Sequence, residues 1–355
     1  KATDRTDNGI GMETSMELSA FLIKLPKVEL HCHLEGSVQA ATFVELARKH
    51  GVQLPDFSEP KDLYDYDNIL DFLRIYDLVA YSVRDRDDFR RITYETLEEG
   101  VRSGLRYREM FWSPMAHMDL GVPYKTAIDG IIDGIHEAEA DKGVQCRLIA
   151  DINRMESAEK GLAMVETVLD NRRDELIGIG LDYAEAGNPP EKFADAFKLA
   201  KAAGLHLTAH ACEDAPPVNI TTALDVLKAE RIDHGYHILE DEQVVQRCLD
   251  DEVVFTCTPT STAWVYGWSD LASHPIRDMA RRGLKITLNS DDPPMFKTDL
   301  GREYVVAAQY MDFQPADFKR FVLNGIDGSW LDERTKRQWC SAWSEEIDGL
   351  LEELA

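Results

Sequence analysis

Cysteine is scarce and scattered. The 355-residue chain holds six, at positions 32, 146, 212, 248, 257 and 340, and no two stand in C-x-x-C spacing. A structural zinc knot is therefore not expected, nor is a disulfide framework in a chain this long. Basic residues are also short: Lys and Arg total 39 against 65 Asp and Glu, a formal charge of -26. Such a chain repels phosphate backbones and anionic lipid surfaces, so neither nucleic acid nor a membrane is an expected partner. Apolar runs fall short of the roughly 20 residues that cross a bilayer. No signal-like pattern opens the chain, and a reducing, cytoplasmic setting is expected. A small neutral or cationic ligand remains open.

Against these absences, one pattern recurs: a short β-rich run followed by an amphipathic, helix-like stretch. Eight runs are visible, Val28–Leu34, Leu105–Trp112, Gln145–Ile152, Leu176–Asp182, Leu205–Ala211, Arg231–Tyr236, Val253–Thr258 and Leu284–Ser290. Eight strands with helical crossovers predict a (β/α)8 TIM-type barrel, with an open parallel sheet as the rival. The first crossover is long, with helical patterns at Ile69–Val79 and Phe89–Glu99. In a barrel, this helical insertion after the first strand lies over the strand C-terminal ends. Residues 1–15 are polar and aperiodic and read as a disordered tail, leaving 16–355 as one barrel domain.

Four groups of chemically capable residues fall at the ends of these runs. His31 and His33 alternate with Cys32, so on a strand the two imidazoles share one face. His210 ends the fifth run, with Glu213 three residues on. His234 lies in the sixth, and Asp291 and Asp292 follow the eighth. Each alone also suits an ordinary role, as a hydrogen-bonded strand-end histidine or a turn and cap carboxylate. Together they occupy the face where barrel enzymes keep their chemistry. Three histidines and an aspartate also make a plausible nitrogen-and-oxygen zinc set.

The segments that carry these residues read LPKVELHCHLEG at 25–36, HACE at 210–213, RIDHG at 231–235 and SDDP at 290–293. In this order they resemble the adenosine and adenine deaminases of the metal-dependent amidohydrolase superfamily, over about Leu25 to Tyr304. The resemblance implies one zinc per chain, bound by His31, His33, His210 and Asp291. It implies Glu213 as proton shuttle, His234 as electrostatic partner of the attacking hydroxide, and Asp292 as a purine contact. Glu35 matches a position at or near the ribose, and His33 also faces the substrate. The implied reaction is hydrolytic removal of the 6-amino group of a small purine, releasing ammonia.

Hydrolysis at purine C6 suits these residue types. Zinc lowers the pKa of water towards roughly 7. A carboxyl group such as Glu213 can take a proton from water and give one to ring N1.

Three segments depart from the family pattern. Cys212 stands where the family usually has Gly, at a position where a side chain adopts positive φ less easily. Glu185 stands where adenosine deaminases carry Gly at the purine edge, and with Gly187–Pro190 it resembles the adenine branch. A carboxylate there would accept N9–H from a free base but meet no donor on a nucleoside. This favours free adenine or an N6-modified base as substrate, with adenosine as the alternative. Trp264 and Trp268 either pack or line space for an extra group. A two-metal relative would need a bridging Lys at the end of the fourth run. That end is Asp182, and no Lys follows until Lys192. A non-catalytic protein on the same fold would be expected to lose Glu213 or a metal ligand.

Overall fold

The computed structural model describes residues 15–268 and 270–354. Eight strands form one sheet in sequence order: β1 (Lys27–Glu29), β2 (Leu105–Trp112), β3 (Gln145–Asn153), β4 (Leu176–Asp182), β5 (His206–Ala211), β6 (Arg231–His234), β7 (Val254–Cys257) and β8 (Lys285–Leu288). Every neighbouring pair is parallel. The ring closes between the extensions of β1 and β8. Asn289 Oδ1 accepts from Leu30 N at 2.9 Å. His33 N donates to the Asp291 carbonyl and Asp291 N to the His31 carbonyl. The architecture is the expected (β/α)8 barrel. Most strands are near-continuously buried, as a sheet covered on both faces requires.

The first strand differs from the sequence expectation. Regular pairing ends at Glu29, and His31 and His33 lie beyond it. Residues 32 and 33 pair only singly, with Asp291 and Phe111. The chain must splay here to meet β8 and close the ring. The two histidines still converge, with ring centroids 5.4 Å apart.

Helices α1 (Met16–Lys24), α2 (Ala40–His50), α3 (Ile69–Ser82) and α4 (Arg86–Arg102) precede β2. Ser15, placed in the tail by its polarity, caps α1 by accepting from Leu18 N. Residues 1–14 of the expected tail lie outside the described residues. The insertion covers the strand ends through α3, whose Ile69, Phe72, Leu73 and Tyr76 face the cavity there. Helix α4 packs instead against the later helix Tyr124–Lys142. A Cβ at Gly134 would fall 2.5 Å from the Arg90 carbonyl, so only glycine allows that approach. Among the described residues, no helix is long and apolar enough to cross a membrane.

Candidate active site

The strand ends bring His31, His33 and His210 together in one metal-capable triad that overlaps others containing Asp291. His33 Nε2 lies 3.3 Å from His210 Nε2 and 3.4 Å from Asp291 Oδ1. His31 Nε2 lies 3.2 Å from the same Asp291 oxygen. A tetrahedral zinc site with ligands at about 2.0–2.1 Å has its ligand atoms about 3.3 Å apart. His31 Nε2 is buried and has no hydrogen-bond partner. An unmet buried nitrogen is costly, and a bound ion removes that cost. Three imidazoles and one carboxylate therefore fit a single metal ion of zinc type.

Outer contacts aim these donors. His31 Nδ1 meets Thr256 Oγ1 at 2.9 Å, and His210 Nδ1 lies 3.3 Å from Asp233 Oδ2. Asp233 is itself held by the hydroxyls of Thr256 and Thr208 at 2.8 and 3.0 Å. Ser261 Oγ donates to Asp291 Oδ2 at 2.6 Å. Asp151 and Asp182 lie 3.6 and 3.8 Å from His33 Nδ1. Such contacts fix ring orientation and tautomer.

Strain gathers at these strand ends. Tyr183, Cys212, His234 and Asp291 all have positive φ, at 68°, 63°, 74° and 65°. Each is a non-glycine residue turning out of β4, β5, β6 or β8, at a cost of order 1–3 kcal/mol. The turns aim the His234 and Asp291 side chains inward.

The cluster opens on a cavity. Its floor holds His33, His210, Glu213, His234, Asp182, Asp291 and Asp292, and its cover adds Tyr183, Val265, Tyr266 and Phe296 to the α3 residues. Among the described residues, no Lys or Arg lines it. Glu213 Oε1 lies 3.5 Å from His234 Nε2. Asp292 Oδ1 is buried without a partner, and a Cβ at Gly36 would fall 1.6 Å from it, so glycine makes room for this carboxylate. Burial, reinforced by the charge of Asp291, pushes the carboxyl groups of both Glu213 and Asp292 well above the usual range. Burial also lowers His234, as do the neighbouring His31 and His210. The structure thus brings together seven of the nine residues singled out from sequence.

The other two are elsewhere. Glu35 is fully buried beside the cavity rather than in it. It accepts from His117 Nε2 at 2.8 Å, Ser113 N at 3.0 Å and Tyr76 OH at 3.1 Å, so it braces a lining tyrosine. Glu185 does not reach the cavity either. Its oxygens accept from Cys212 N, Glu213 N and Asn219 Nδ2 at 2.7, 2.8 and 2.7 Å. With both oxygens engaged, it is not available to a purine N9–H, and that argument for a free base fails. Trp264 packs edge-on against Phe296, and Trp268 packs against His274 and His237.

Sequence reasoning gave no role to Asp233, Asp151 or Ser261. Asp233 had a signal: it immediately precedes His234, within the RIDHG segment. Asp182, which ends β4, was noted only as a strand end. Burial pushes its carboxyl up to about 7. Tyr76 carries no local signal, because its position comes from α3 folding back over the barrel.

Comparison with known proteins agrees with this geometry. The adenosine deaminase family profile matches residues 26–345. The adenine deaminase of Rhodospirillum rubrum is 36% identical over 321 residues, 90% of this chain and 96% of that protein. An amidohydrolase from Burkholderia ambifaria, solved with bound Zn, superposes with a TM-score of 0.93 at 38% identity, covering 97% of this chain and 96% of that one. The adenine deaminase of Arthrobacter aurescens gives a TM-score of 0.87 at 33% identity, covering 91% and 99%.

Proposed function

The chain belongs to the adenosine deaminase family, and from that premise we propose that it is a zinc-dependent aminohydrolase converting adenine to hypoxanthine and ammonia. The observation that carries this reading is the cavity itself. A three-histidine, one-aspartate set and two proton-holding carboxyl groups meet beneath a largely apolar cover that, among the described residues, offers no Lys or Arg to a phosphate.

His31, His33, His210 and Asp291 would hold one zinc ion, which supplies the Lewis acidity that makes water nucleophilic at neutral pH. Glu213 accepts the proton that water gives up and returns it to ring N1, which gains basicity as C6 becomes tetrahedral. Its high proton affinity in this site favours the first transfer. His234, beside Glu213, steadies the charge on the attacking oxygen. Asp292, with one oxygen unpaired, faces a ring nitrogen of the purine. The α3 cover excludes water and holds the flat base over these groups.

Preference for the free base rests on the relatives and on the cover. Ile69, Phe72, Leu73, Val265 and Phe296 make most of that cover apolar, with the hydroxyls of Tyr76, Tyr183 and Tyr266 as its polar groups. Each buried unpaired hydroxyl costs roughly 1–3 kcal/mol. The test is metal analysis of the purified protein alongside ammonia release from adenine, adenosine and AMP. One zinc per chain and fastest turnover of adenine are expected. Purified zinc-loaded protein that releases no ammonia from any 6-aminopurine overturns the reading.

A further inference from the structure

Cys212 has φ 63°, in the left-handed region that a side chain adopts at a cost. It is fully buried, and the residue after it is Glu213. Two consecutive amides around a left-handed residue form a concavity that attracts an anion. Here the anion is internal. Glu185, buried at the start of the loop after β4, accepts from both Cys212 N and Glu213 N and from Asn219 Nδ2. The loop carrying Glu185 is tied down independently. Arg154 donates from Nε to the Asn188 carbonyl at 3.0 Å and from Nη1 to the His210 carbonyl at 2.7 Å. The segments after β3 and β4 and the end of β5 are thus joined behind the cavity.

This arrangement has a direct consequence for Glu213. With its amide pinned to Glu185 on one side, its side chain is directed to the opposite side, where its carboxyl meets His234 Nε2. The Cys212 carbonyl accepts from His237 N at 3.2 Å, which fixes the other end of the strained residue. Without a carboxylate in the nest, two buried amides lose their acceptor and nothing offsets the left-handed turn.

We propose that Glu185 is a positioning residue: its carboxylate occupies the Cys212–Glu213 amide nest, holds Cys212 left-handed and so sets the direction of the Glu213 side chain. The inference rests on the reading of Glu213 as the proton-transferring group. It also joins two features that looked separate in the sequence. The residue at 212 and the acid at 185 are two halves of one device.

The experiment compares four zinc-loaded proteins: native, Glu185→Gln, Cys212→Gly and the double variant. Glutamine keeps the size but turns an NH2 donor towards an amide donor. The expected result for Glu185→Gln is a 10- to 100-fold fall in kcat for adenine with KM changed less than threefold. Zinc content and cooperative unfolding should persist. Amide exchange in the 206–217 peptide should accelerate at least tenfold, a readout that needs no turnover. Glycine removes the strain at 212, so the double variant should regain at least fivefold in kcat over Glu185→Gln. Native-like kcat and exchange in Glu185→Gln overturn the proposal. A rise in KM with kcat intact does so too, since it would make Glu185 a substrate contact. Loss of fold or zinc that Cys212→Gly does not repair assigns Glu185 to stability alone and equally overturns it. Failure of the native protein to deaminate adenine refutes the functional reading instead, while the exchange comparison still reads the clamp.

Discussion

His210 Nδ1 and Asp233 Oδ2 stand 3.3 Å apart across neighbouring strands, both buried, with the opposite edge of the imidazole turned into the four-residue cluster. Although burial opposes it, His210 holds the Asp233 carboxyl well below the usual range, so the pair is built around an ionised carboxylate. That carboxylate selects the His210 tautomer whose Nε2 is free to bind a cation. Asp233→Asn should weaken zinc retention by roughly 10- to 100-fold. Competition with a chelator, read by metal analysis, checks this. Unchanged retention would remove Asp233 from the metal site.

Glu213→Gln should keep zinc and lose turnover by on the order of 10² to 10⁴. The amide preserves the 213 side chain's shape but cannot carry a proton from water to N1. His234→Ala should also keep zinc and lose kcat, because the attacking hydroxide loses its electrostatic partner. Steady-state rates with metal content measured on the same samples check both. A Glu213→Gln protein turning over at the native rate would show that another group moves the proton.

The ring of strands was readable because each carries its own local signal, a short β-rich run closed by a polar residue. For the same reason the metal-type residues stood out: His31, His33, His210 and Asp291 sit where such runs end. Neither Glu185 nor Glu35 lines the cavity: sequence gives a residue's position along a loop but not the direction of its side chain. Glu185 turns back towards the β5 amides, and Glu35 towards His117 and Ser113. Cys212 was read correctly as a strained substitution. What compensates for it lies 27 residues away and has no local signature. The cover was foreseen as an insertion, but which α3 side chains face the site depends on how the helix docks.

Glu303 offers a test of buried charge away from the metal cluster. Its carboxyl is fully buried, accepts from Thr260 N at 3.0 Å and meets the Thr298 hydroxyl. Burial pushes it up to about 7 from an ordinary 4.5. A raised acid binds its proton more tightly in the folded state. The associated stability is fully present below pH 4.5 and is lost as pH rises through about 7. The gap corresponds to about 3 kcal/mol at most. Glu303→Gln keeps an oxygen for Thr260 N and a donor for the Thr298 hydroxyl without the charge. The variant should unfold at a higher temperature than the native protein at pH 8, and the difference should shrink towards pH 5. Melting curves across that range check it, and a difference independent of pH would refute the assignment.

The α3 cover should set the balance between free base and nucleoside. Phe72 stacks on Phe296 with centroids 4.9 Å apart, and both rings line the cavity. A bare adenine needs nothing from this apolar wall beyond contact. A ribose brings hydroxyls that would be desolvated against it, and one or two unpaired groups at roughly 1–3 kcal/mol each predict a preference for adenine in kcat/KM of about fivefold or more. Phe72→Ala removes one face of the stack and admits water beside the site. Water can then hydrate the sugar, so the penalty on adenosine should fall. Adenine loses packing over its plane, so its KM should rise while kcat changes less. The ratio of kcat/KM for adenine over adenosine should therefore drop by at least fivefold in Phe72→Ala. Measuring both substrates in both proteins decides the matter. A ratio that stays fixed while both rates fall would mean that Phe72 only stabilises α3, and that selectivity resides on the floor of the site.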